Sequence, residues 1–372
     1  MDADQLSVSE DYEYLMGFLP KGWQARAREL GALRRCRKVP DAETLLRVLL
    51  IHLAEGCSLR ETAVRARQGH LIALSDVAIM ERLKRAGEWF RWMNTELMKR
   101  WVGAPPEAIW GSRWNVRVID GTRIKEPGPT GSSWCVHYSI GLPSLACQEL
   151  SVSEPDGPGE SFSLFQVNAG DLFLGDRVYG VRPGIFHVCR HGGHVLVRFA
   201  LSNLPLLTPQ RRPFSLLNHL RTLTGTRRGD WPVLLKDDSV ELPGRVCAVR
   251  KSRQAAERAR QQVIRQAQKH GMTPQPQTLE AAGYFFVFTT LTTDQLATVP
   301  VLGMYGGRWQ IELVFKRLKS ILEFGHLRKA DLQAAKAWLH GKLLVAFLVE
   351  SLIRCGETFF PWGWPLSETS QT

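Results

Sequence analysis

Cysteine is scarce: seven in 372 residues, at positions 36, 57, 135, 147, 189, 247 and 355. They are odd in number, scattered and without a Cys-x-x-Cys pair, which excludes a disulfide framework and a thiolate zinc site. His187, Cys189, His191 and His194 lie close together, but their spacing matches no zinc-finger pattern. Long apolar runs are also missing. The most apolar stretch, Trp338 to Ile353, is interrupted by His340, Lys342 and Glu350. It falls short of the ~20 clean residues of a membrane helix, so a buried amphipathic helix is expected there. Met1 to Tyr14 is acidic and has no basic start leading into an apolar stretch, so no secretory signal is expected. Gly303, Gly306 and Gly307 lack the Lys-Ser/Thr of a phosphate-binding loop, no His-Glu-x-x-His occurs, and no serine or cysteine nucleophile motif is found. No internal repeat is visible.

What is present is basic charge. Lys plus Arg outnumber Asp plus Glu by 48 to 36, a formal charge of +12 spread along the chain. A polyanionic partner is the first expectation; a basic protein with a merely solvated surface is the plain alternative. From Asp41 to Trp101 the apolar spacing predicts helices, with Asp41 as a cap, a capping box Ser58-Leu-Arg-Glu61, and a third helix after Ser75-Asp76. Arg60, Arg65, Arg67, Arg82, Lys84 and Arg85 fit a helix-turn-helix-like unit that meets DNA, or equally a helical bundle with a solvated basic face. Gly103 to Ser112, with Pro105 and Pro106, reads as a linker.

Short strand-like runs follow: Val116 to Asp120, Trp134 to Gly141 and Ala146 to Val152, then Leu172 to Gly175 and His194 to Leu201. Between Ser202 and Asp294 come Pro-punctuated segments, a strand at Gly244 to Arg250, a basic helix at Gln254 to His270 and an aromatic strand at Gly283 to Leu291. Helices return from Leu302 to Cys355. Strands, a crossover and further helices make an α/β or α+β chain. The basic helix suits a phosphate backbone or simply a solvated surface.

The sharpest signal is Tyr305-Gly-Gly-Arg308-Trp-Gln-Ile-Glu312-Leu-Val-Phe-Lys316-Arg-Leu-Lys319. Offsets of 3, 7 and 14 from Tyr305 place Tyr305, Arg308, Glu312 and Lys319 on one stripe of a continuous helix. Such a row suits a phosphate backbone with the acid at the reacting position, or an ordinary salt-bridge face in which Arg308 and Lys316 flank Glu312. Two upstream acids tip the balance. Asp120 ends VRVID, and Asp176 ends LFLGD and precedes Arg177. Each alone reads as a strand-end turn residue. Together with Glu312 they form a carboxylate set suited to hard divalent cations and an in-line phosphoryl displacement.

VIDGT around Asp120, GDRVYG around Asp176 and the Tyr-x2-Arg-x3-Glu-x6-Lys run resemble the DDE transposases of bacterial insertion sequences, specifically the IS-four family. The likeness runs from about Leu59 to Leu344. It implies a ribonuclease-H-like catalytic domain interrupted by a mainly β insertion, with a helical N-terminal DNA-binding domain. The boundaries expected are 1–112 for the helical domain and linker, 113–201 and 295–355 for the two catalytic parts, 202–294 for the insertion and 356–372 for a tail. The resemblance implies that Asp120, Asp176 and Glu312 bind Mg²⁺ or Mn²⁺, two ions in all. It implies that Tyr305, Arg308 and Lys319, with Lys316 and Arg177 beside them, contact the transposon end. Trp231, in GDWPV, is the candidate for an insertion-domain aromatic that supports a flipped base, although an aromatic there is more often core. One departure is Val178, where family members often have glycine. The partners implied are terminal inverted repeats and target DNA, with a homodimer in the DNA complex and a cytoplasmic, nucleoid-associated location. The rivals are an inactive or domesticated DNA-binding relative and a ribonuclease-H-like nuclease that does not transpose.

Overall fold

The apolar runs between glycines and prolines lie side by side as strands of one nine-stranded sheet, in the order β3-β2-β1-β4-β5-β9-β8-β7-β6. The structure, a computed structural model, describes residues 12–34, 38–101, 113–128, 133–237, 240–325, 327 and 331–357. Cys36, the expected linker 103–112 and residues 358–372 of the expected tail lie outside the described residues. The six described cysteines are free thiols. No helix among the described residues is long and apolar enough to cross a membrane.

The strands are β1 (Asn115–Lys125), β2 (Ser133–Leu142), β3 (Cys147–Ser153), β4 (Asp171–Gly175), β5 (His194–Val197), β6 (Leu206–Leu207), β7 (Arg228–Asp237), β8 (Val240–Arg250) and β9 (Tyr284–Thr289). β4 reads DLFLG and is buried along its length, as expected of a central strand with parallel neighbours. It runs parallel to β1 on one side and to β5 on the other. A parallel β4–β5 pair needs a crossover, which the helix at Arg182–Arg190 supplies, with proline in its first turn where a missing N–H costs nothing. β9 is antiparallel to both β5 and β8, so the strands of segment 202–294 extend this same sheet.

Contacts divide the chain into two compact units. The one comprising Ala104–Thr122 and Cys135–Leu313 holds most of the sheet. Its apolar core gathers Phe162, Phe173, Phe186, Val195, Val246 and Phe288. Within it Arg117, only 4% exposed, donates to Asp171, Glu149, Ser139 and the carbonyl of Gln166. Asp171 also accepts from the Asn115 side chain and the Asn168 amide, a turn role at the head of β4. Every charge in this knot has a partner, the condition for tolerating it in a core.

The other unit comprises Met1–Gly103, Arg123–Trp134 and Val314–Thr372. Its helices are α1 (Trp23–Glu29), α2 (Ala42–Ala54), α3 (Leu59–Gln68) and α4 (Asp76–Trp101) from the N-terminal half, and the long helix Leu332–Glu357 from the C-terminal half. Asp41 caps α2 by accepting from the Thr44 amide at 2.7 Å, and Ser58 caps α3 through the Glu61 amide at 3.1 Å. The C-terminal helix packs along α4: Gly87 faces Ala337, and the Asn94 side chain donates to the His340 carbonyl at 2.9 Å. Gly341 permits the close approach, since a Cβ would lie 2.5 Å from a methyl of Leu53 and force that side chain to shift.

Candidate active site

Asp120 and Asp176 are brought together by strand register. The last paired residues of β1 and β4 are Val118 and Leu174, and both aspartates lie two residues further on. Two residues is the side-chain period of a strand, and neighbouring strands lie ~4.8 Å apart, so the two carboxylates emerge from the same face on adjacent strands. β1 itself continues past Asp120 to Lys125, because Thr122 and Ile124 are apolar-facing and buried. Asp120 accepts from the Gly121 amide and Asp176 from the Val178 amide, each at 2.8 Å. Val178 is therefore accommodated: its N–H serves the turn, its side chain is exposed, and its φ is not among the positive ones.

Asp120 is largely withdrawn from water. Its side chain is 15% exposed, and burial, with the charges of Asp176 and Glu160, pushes its carboxyl up to about 7. The Gly121 hydrogen bond and Arg308, 3.5 Å away, oppose that rise. Glu160 ends the Pro-Gly loop after β3, and its side chain covers Gly121 so closely that a Cβ there would meet Glu160 Cγ at 2.7 Å. Nothing in the residues around Glu160 marked it as a neighbour of Asp120, since only folding closes that loop over the strand.

Glu312 sits in the first turn of α10 (Trp309–Ile321), following α9 (Thr298–Gly306); the helices between are α5 (Arg182–Arg190), α6 (Leu216–Arg221), α7 (Arg253–Lys269) and α8 (Pro276–Ala281), and α11 is Leu332–Glu357. The continuous helix expected from Tyr305 to Lys319 is instead broken at Gly307 and Arg308, as a tandem glycine pair favours. Tyr305 is buried before the break, and its hydroxyl donates to the Gly175 carbonyl at 3.1 Å, tying α9 to the residue before Asp176. Arg308 stands at the turn and pairs with both Asp120 and Glu312. The start of α9 is fixed too: Asp230 accepts from Thr298 at 2.5 Å and from Arg245, which also donates to the Leu291 carbonyl.

The triad is gathered only in part. Asp120 and Asp176 are neighbours, whereas Glu312 is linked to Asp120 through the Arg308 guanidinium and its side chain is 58% exposed. Among the described residues no three His, Cys, Asp or Glu side chains are close enough to hold one metal ion. Arg308 lies between Asp120 and Glu312 and pairs with both. Crowded, half-buried carboxylates at Asp120 and Asp176 nonetheless fit a hard divalent ion, which favours carboxylate oxygen.

Lys316 and Lys319 are exposed on α10, about one and two turns past Glu312. Arg177 is exposed in the loop after β4. Trp231 lies elsewhere, on β7: its ring is 5.3 Å from His219 and 6.4 Å from Phe214, centroid to centroid, and it packs on the apolar core. The His187 and His191 rings lie 4.7 Å apart, tilted by 51°, and His194 faces Thr290, with no metal-holding set among the described residues. Arg198 and Lys251 are site neighbours that the sequence did not reveal, because they follow β5 and β8 and reach Asp176 only through the sheet order.

A family model described as a transposase DDE domain matches residues 161–348. The chain is similar to the putative transposase InsL of insertion sequence element IS186A from Escherichia coli (strain K12), with 32% identity over 351 residues, 92% of this chain and 93% of that protein. It is similar to the transposase of insertion sequence element IS421 from Escherichia coli, with 32% identity over 352 residues and the same two shares.

Proposed function

We propose, from the fact that this chain belongs to the DDE transposases of insertion sequences, that Asp120, Asp176 and Glu312 are the catalytic carboxylates of a DNA-cleaving and strand-transferring enzyme. The observation that supports the assignment is that Asp120 and Asp176 each follow by two residues the last paired residues, Val118 and Leu174, of the adjacent parallel strands β1 and β4. The three carboxylates would hold divalent ions, magnesium or manganese and two in number. These would activate the attacking water or 3′ hydroxyl and stabilise the leaving oxygen.

The residues of the chain supply the rest. Tyr305, through Gly175, fixes the strand end that carries Asp176. Arg308 neutralises Asp120 and Glu312 in the free protein, and its planar fork turns to a DNA phosphate when the carboxylates take cations. Lys316, Lys319 and Arg177 add exposed positive charge for the transposon end. The parallel β1–β4–β5 core supports a ribonuclease-H-like catalytic domain, with segment 202–294 as the insertion that widens its sheet. Residues 1–112 are read as the helical DNA-binding domain, and pairing two transposon ends calls for a homodimer on DNA.

The test is cleavage of a duplex carrying the terminal inverted repeat that flanks the coding region. Asp120→Ala and Glu312→Ala should each abolish Mg²⁺-dependent nicking while leaving repeat binding nearly intact. Undiminished nicking by either variant removes the assignment.

A further inference from the structure

Beside Asp176 the sheet-bearing unit holds a cleft of about 510 Å³. Four cations line it, Arg177, Arg198, Lys251 and Arg308, against a single acid, Asp176. They come from four places in the chain: the loop after β4, the residue after β5, the residue after β8, and the turn before α10. Two of them are held from behind. Lys251 donates to the Ala282 carbonyl at 2.9 Å, and the Arg198 guanidinium lies 5.7 Å from the centre of the Phe285 ring. Gly180 sits so close to Arg198 that a Cβ would meet its carbonyl oxygen at 2.3 Å, which locks the loop after Asp176 against this arginine.

Arg308 has Asp120 and Glu312 as partners, which leaves Arg177, Arg198 and Lys251 facing Asp176; like charges gathered in this way favour an anion between them. The repulsion registers at Lys251, whose ammonium is brought down to about 8 by burial and by the charges of Arg198 and Arg177. The opposite wall is of another kind. Ala259, Gln262, Val263 and Gln266 share one face of α7, offering two amides and short aliphatic surface. Arg258 and Arg265 of this basic helix are exposed and do not line the cleft.

We propose that this cleft is a phosphate subsite in which Arg177, Arg198 and Lys251 hold one backbone phosphate of the DNA strand adjoining the reacting phosphodiester, with Gln262 and Gln266 meeting the sugar and base edge beside it. The assignment rests on the reading of Asp120, Asp176 and Glu312 as the reaction centre. Charge–charge contact to the phosphate positions the strand, and the amides are the groups able to sense a base.

The experiment is repeat binding without divalent metal, using a set of duplexes that each carry one neutral methylphosphonate, against the wild type, Lys251→Gln and Arg177→Gln. One phosphate position should cost the wild type about ten-fold in affinity when neutralised and cost Lys251→Gln nothing further, and the salt slope of the variant should fall by about 1. Lys251→Arg should restore both. A merely structural role for Lys251 would lower the melting temperature and weaken binding without erasing the penalty at one position. Arg177→Gln, an exposed change, reads the same subsite if Lys251→Gln fails to fold. Penalties that simply add at every position for both variants, or unchanged salt slopes, overturn the subsite. Binding is the only readout, so this result stands apart from nicking by Asp120→Ala, which tests the reaction centre itself.

Discussion

His340 shows what burial does to one titratable side chain. It is 4% exposed within α11, its Nδ1 finds no partner, and burial, reinforced by Lys336 and Arg91 and opposed by Glu88, pulls it down to about 4 from the ordinary 6.5. The folded state therefore holds it neutral. Its contribution is complete above pH 6.5 and is withdrawn as pH falls towards 4, a difference of roughly 3 kcal/mol. Asp120, raised to about 7, gains stability over the same interval as pH falls, so the reading is a difference: from pH 6.5 to 5 the denaturant midpoint of the wild type should fall relative to that of His340→Gln. Equal slopes in the two proteins would show that His340 is not the titrating group. At the same scale, Asp120, Asp176 and Glu312 stood out in the sequence because each follows an apolar run or sits among the charges of a helix start, although β1 runs on past Asp120. Glu160, Arg198 and Lys251 did not, because nothing local distinguishes them from other surface charges.

The β1–β4 pair bears Asp120 and leads into Asp176, and Arg117 on β1 pairs with Asp171 on β4. Arg117→Met would leave Asp171, 2% exposed, as a buried charge without its cation. The loss expected is about 3–5 kcal/mol, read as a fall in the urea midpoint at constant slope. A change within 0.5 kcal/mol would mean that Asp171 is not left uncompensated by the loss of Arg117. Strands β1 to β5, β8 and β9 were readable as short apolar or aromatic runs, most of them bounded by Gly and Pro. β7 was not: Gly229, Asp230, Pro232, Lys236 and Asp237 hide it, and only pairing with β8 along its whole length makes it a strand. The helix break at Gly307 and Arg308 was hidden as well, because offsets of 3 and 7 are satisfied by a continuous helix and by a helix-turn-helix alike.

For the molecule as a whole, the pairing of α4 with α11 crosses most of the sequence. Residues 1–112, expressed alone, would expose Leu83, Ala86, Phe90 and Met93, all fully buried in the complete chain. That fragment should show helical circular dichroism without a cooperative melt, and fusing 331–357 to it through a flexible linker should restore one. A sharp melt for 1–112 alone would show that its core closes without α11. The excess of 12 positive charges predicts in addition that repeat binding weakens steeply with salt, linearly in its logarithm.

Composition and local pattern determined the class of chemistry: a basic chain with two strand-end aspartates and a glutamate among Tyr, Arg and Lys, together with most of the strands and helices. Those are properties of neighbours in sequence, which propensity, period and capping express directly. Only the tertiary structure decided that Asp120 and Asp176 follow the paired stretch of two adjacent parallel strands, that Arg308 lies between two of the acids, that four cations converge beside Asp176, and that α11 packs along α4. Such meetings depend on strand order and helix packing between residues tens to hundreds of positions apart, and no window of sequence contains them.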